Sequence, residues 1–160
     1  MQVSQPKRAS RTYVQRLHAV PEEVFPLLCP VREVDWVEGW APSHVWSESG
    51  VAEKDCVFLT GGHGGEAVWY ITCHEPALGR IEMLKVTPGV TICSIVIELA
   101  PSGPGTAATI TYTHTSLGPA GDEFGDQFTE EHWVRFMQAW ESQLNHYLKT
   151  GRKSGHDSPR

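Results

Sequence analysis

Residues 106–117 contain the pair of side chains with the most chemistry to offer, Tyr112 and His114. Side chains alternate between faces in a strand. Ala108, Ile110, Tyr112 and His114 therefore share one side, and Thr109, Thr111, Thr113 and Thr115 share the other. The threonines suit a half-exposed sheet surface, so the His114 side is expected to face inward. An inward imidazole beside a phenol can hydrogen-bond a ligand or move a proton. The plainer reading is a core histidine with a satisfied ring. Burial without a carboxylate partner is expected to bring its pKa below the ordinary ~6.5.

Other chemical constellations are weaker. Gly61-Gly62-His63-Gly64-Gly65 has the look of a phosphate loop but lacks the Gly-Lys-Ser/Thr ending. A strand pattern follows it, so no helix N-terminus would hold a phosphate. It reads as a hairpin turn with His63 at the tip. Cys73-His74, His114 and His132 lie on different elements, and no His-Glu-x-x-His spacing occurs. No metal site and no cofactor are expected. There is no Gly-x-Ser-x-Gly elbow, and Glu22-Glu23 and Glu130-Glu131 fall in helix first turns, where carboxylates compensate the dipole. No catalytic residue is assigned. The four cysteines, at 29, 56, 73 and 93, form no Cys-x-x-Cys pair and are expected as free thiols.

These groups must be positioned by the surrounding elements. Residues 11–20 alternate as a strand, with Tyr13, Gln15, Leu17 and Ala19 on one face. Pro21-Glu22-Glu23 starts a short helix, Pro30 ends it, and a second short helical piece covers 31–37. Extended runs follow at 44–49, 56–60, 66–75, 80–87, 90–100 and 106–117, separated by Gly- and Pro-rich breaks. From about 126 to 149, Trp133, Phe136, Met137, Trp140, Leu144, Tyr147 and Leu148 form a helical stripe. Asp126 or Thr129 can cap its start and Gly151 its end. The fold class is thus α+β: a seven-stranded antiparallel curved sheet wrapped around a long C-terminal helix, with two short helices after strand 1. A curved sheet gripping one helix leaves room for a pocket.

This element order resembles the START-like (SRPBCC) superfamily, also called the birch-pollen-allergen-like or helix-grip fold. It is similar in particular to the polyketide cyclase/dehydrase-like and heat-shock-ATPase-activator-homologue branches. The matching stretches are Val20-Pro21-Glu22-Glu23-Val24-Phe25, Glu75-Pro76, Thr111-Tyr112-Thr113-His114-Thr115 and the closing Tyr147-Leu148. The resemblance spans residues 11–150, one domain, with 1–10 and 151–160 as polar tails. It implies a hydrophobic small molecule, aromatic or lipid-like, held between sheet and helix.

On this reading the sheet walls are Trp69, Ile71, Met83, Ile95, Ile97, Ile110, Tyr112 and His114. The helix walls are Trp133, Phe136, Met137 and Trp140. One alternative is a cyclase- or dehydratase-type enzyme using Tyr112 and His114. Another is a module for a protein partner of the chaperone co-factor kind, which would have a collapsed interior and an exposed apolar patch.

The net charge of −6 is unevenly spread, because Lys7, Arg8 and Arg11 at one end and Lys149, Arg152, Lys153 and Arg160 at the other leave an acidic body. Such a body repels phosphate, so no nucleic-acid partner is expected. No run is long and apolar enough for a membrane span. With no apolar leader in MQVSQPKRAS, a cytoplasmic protein is expected, and a homodimer is left open.

Overall fold

The computed structural model describes residues 1–62 and 65–155, so the expected His63 turn tip lies outside the described residues. Strand β1 (Arg8–Leu17) starts three residues before the alternation suggests. It buries Gln15 and Leu17 and leaves Val14 exposed. Pro21, with no N–H to lose at a first turn, opens the one-turn helix α1 (Pro21–Val24), with Glu22 and Glu23 behind it. Pro26 cannot continue an α-helical ladder, and the chain tightens into a 3-10 turn at Phe25–Leu27. A second 3-10 turn, Glu33–Asp35, replaces the longer helical piece expected over 31–37. Together these turns bury Val24, Phe25, Leu27, Leu28 and Trp36.

Six strands follow: β2 (Pro42–Trp46), β3 (Val57–Thr60), β4 (Ala67–Glu75), β5 (Arg80–Thr87), β6 (Thr91–Ser102) and β7 (Gly105–Ser116). All pairings are antiparallel in the order β1-β7-β6-β5-β4-β3-β2. Strand β2 ends at Trp46, before the expected Ser49. There the Glu53 carboxylate accepts from the Glu48 and Ser49 N–H groups and the Ser47 hydroxyl, folding the backbone into a loop that competes with pairing. At the turn into β5, Gly79 has φ +64°, and a Cβ there would lie 2.7 Å from the Leu99 carbonyl oxygen. Only glycine fits that approach.

The C-terminal stripe lies in one helix, and a separate helix stands before it. Helix α2 (Pro119–Gln127) precedes α3 (Glu130–Thr150), and the chain breaks between them at Phe128, φ −78° and ψ 60°. The single helix expected from 126 therefore begins at 130. Thr129 rather than Asp126 caps it, its hydroxyl accepting the His132 N–H at 3.2 Å. Gly151, at φ +67°, closes α3 and donates to the Tyr147 carbonyl. At 21 residues α3 is roughly 32 Å long.

Strand β1 clasps this helix with polar contacts. Gln15 donates to the Met137 carbonyl, the Arg16 N–H to Glu141, the His18 N–H to the Asn145 side chain, and Asn145 in return to the Arg16 carbonyl. Trp133, Met137 and Leu144 are fully buried beneath α3. No helix among the described residues is long and apolar enough to cross a membrane.

Candidate functional site

Register sets the inner face of the sheet in rows. One row runs Phe58, Trp69, Lys85, Cys93, His114 and Ala9, and the next runs Ile71, Met83, Ile95, Tyr112 and Arg11. Above the β3–β6 part of these rows lies a cavity of about 360 Å³, at the small end of the usual ligand range. Its floor is Phe58, Trp69, Met83, Ile95, Ile97 and Tyr112, and α3 supplies Phe136 and Trp140. The third wall comes from the turns after α1: Leu28, Pro30, Glu33 and residues 37–41.

The aromatic walls hold one another. Phe58 stacks on Trp69 at 5.1 Å, Trp40 meets both edge-on, and Trp36 packs against Trp140 at 5.0 Å. The indole N–H groups of Trp36 and Trp40 donate to the Leu27 and Pro30 carbonyls, and that of Trp69 to Thr60. Rings fixed in this way present a flat apolar surface that needs little ordering on binding.

Glu33, Tyr112 and Lys85 interrupt that surface. Burial raises the Glu33 carboxyl to about 8, so it is mostly protonated near neutral pH. Burial also raises the Tyr112 phenol, with Cys93 and Glu33 adding to it. The Lys85 ammonium lies 4.9 Å from the centre of the Trp69 ring. Its pKa is lowered by burial, against an opposing pull from Cys93. A cation over an indole face is held by the ring quadrupole.

Of the expected wall residues, Trp69, Met83, Ile95, Ile97, Tyr112, Phe136 and Trp140 meet at this cavity. Ile71, Ile110, Trp133 and Met137 are buried instead in solid packing. His114 does face inward, at 7% exposure, but does not reach the cavity. Phe124 and Phe128 lie 4.7 and 4.6 Å from its ring, its Nε2 lies 3.7 Å from the Cys93 sulfur, and its Nδ1 has no partner among the described residues. Burial first, and then the Lys85 charge, lower its pKa to about 4. The Cys93 thiol is raised to about 12 by burial and is inert at neutral pH.

Sequence reasoning missed Lys85 and Glu33. Period two from Met83 carries Lys85 to the inner face, a signal present in the strand pattern. Glu33 gave none, because its position follows from how the irregular turns fold over the sheet.

Solved structures match over nearly the whole chain. A protein of unknown function from Staphylococcus aureus aligns with a TM-score of 0.67 at 10% identity, over 92% of this chain and 97% of the other. A point mutant of norcoclaurine synthase from Thalictrum flavum, solved with a transition-state analogue, aligns at 0.64 and 13% identity over 93% and 100%. The chain has the helix-grip fold. A third structure, of a protein from the dynemicin biosynthetic locus, aligns at 0.58 and 20% identity over 89% of this chain and 48% of that one. At these identities the likeness is one of fold. No protein-family model matches the chain, and no curated protein matches it either.

Proposed function

We propose that residues 11–150 bind a hydrophobic small molecule, flat and aromatic or lipid-like, in the cavity between the sheet, the turns after α1, and α3. The observation that carries this reading is the 360 Å³ space with walls of Phe58, Trp69, Met83, Ile95, Phe136 and Trp140. A protein-partner module would instead have its interior filled. The cyclase- or dehydratase-type alternative needs Tyr112 and His114 to converge on one ligand, and Phe124 and Phe128 stand over the His114 ring.

The test is native mass spectrometry of the purified chain, followed by calorimetric titration with 2-naphthol, a neutral flat probe. A bound small molecule, or saturable uptake of one 2-naphthol per chain that Trp69→Ala weakens, is the expected result. A bare chain that takes up no probe overturns the reading.

A further inference from the structure

Lys85 is the one cation among the described residues that line the cavity. It lies between Trp69 and Cys93 in its row, and its ammonium rests against the Trp69 ring. Among the described residues no carboxylate forms an ion pair with it. Two carboxyl groups line the same space. Glu33 is mostly protonated near neutral pH, and Glu38 is exposed. Neither neutralises Lys85. Lys85 is half-buried. Partial burial of a cation carries a cost unless a counter-charge meets it, and among the described residues the Trp69 indole face is what meets it. A ligand with an anionic end would offset that cost, and each charge-assisted hydrogen bond to the ammonium would be stronger than a neutral one. The Tyr112 hydroxyl and the protonated Glu33 carboxyl remain as donors for oxygen atoms elsewhere on the ligand.

We propose that the ligand is an acidic amphiphile, with a flat apolar body along Met83, Ile95, Tyr112 and Trp140 and a single carboxylate docked on Lys85. This deepens the ligand-binding reading above and rests on it.

The test is calorimetric titration at pH 7 with a matched pair, naphthalene-2-carboxylate and naphthalene-2-methanol, which share a body and differ in charge. Wild type is expected to bind the carboxylate about tenfold tighter than the alcohol. Lys85→Met keeps an unbranched chain of similar length without the charge. It should erase that preference, and Lys85→Arg should restore it. Equal wild-type affinities overturn the proposal and leave the ligand-binding reading standing, as does a preference that survives in Lys85→Met. Failure of both probes to bind overturns the two together. The wild-type comparison decides even if a variant does not fold.

Discussion

The imidazole of His114 is boxed by rings: Phe124 and Phe128 lie over it, Tyr112 lies 6.1 Å along the strand, and Cys93 faces it across β6. A base held neutral in this way links folding to pH. Its pKa is about 4 folded, against 6.5 as the ordinary value. Above 6.5 both states are neutral and its contribution is complete. As the pH falls from 6.5 to 4 the unfolded chain takes up a proton that the folded one refuses, and on the order of 3 kcal/mol is lost. Urea midpoints between pH 7 and 4 should fall steeply for wild type and less steeply for His114→Phe, which has nothing to titrate. Parallel slopes would mean that the ring titrates as in water. Strand alternation made the inward direction of His114 readable in the sequence, together with the downward pKa shift. It could not reveal what lies above the ring, because that depends on how a non-adjacent segment packs. Lys85 is the opposite case: its inward position was written in the same alternation, but a charged residue in an apolar row is easily taken for a solvent-facing one.

At the scale of elements, the helical stripe was legible because aromatic and aliphatic residues recur at helical spacing. The helix before it was not, because PAGDEFGDQ has two glycines and a single large apolar residue, Phe124. Tertiary contact makes that segment a helix. Lys7 and Ser116 bond to Asp122, and Gly121 sits so close to the β6–β7 end that a Cβ would lie 2.0 Å from the Val90 carbonyl oxygen. Gly121→Ala must therefore lift α2, because backbone cannot yield there. The expected sign is an NMR-titrated His114 pKa that moves up toward 6.5, with ligand binding retained; an unmoved pKa would show that α2 does not seal the ring.

Along α3 the stripe itself separates by depth. Trp133 is fully buried, whereas Trp140 is half-buried and borders the cavity. Trp133→Ala should cost about 3–5 kcal/mol by denaturant unfolding, as for a large aromatic removed from solid packing. Trp140→Ala should cost clearly less, since one side of its ring already faces open space, and should weaken 2-naphthol uptake. Equal costs would place both rings in the same packed interior.

Across the whole molecule, the clasp and the cavity occupy different ends. Strands β1, β6 and β7 share long continuous pairings, β1 is tied to α3 along Gln15, Arg16 and His18, and Trp133, Met137 and Ile110 fill the space between. The other end is β2, β3 and residues 28–41. There β2 is short and pairs only with β3, which spans four residues, and the interior is the cavity. Amides open most readily where few buried contacts hold them, so the hollow end should exchange first. A ligand that binds only the closed form suppresses that opening in proportion to its occupancy. Hydrogen exchange read by mass spectrometry should show fast exchange in 28–46 and 57–60 and slow exchange in 91–116. Saturating naphthalene-2-carboxylate should slow the first two segments severalfold and leave the third unchanged. Uniform slowing across all three would mean that exchange proceeds by global unfolding, and that the cavity end is no looser than the clasp.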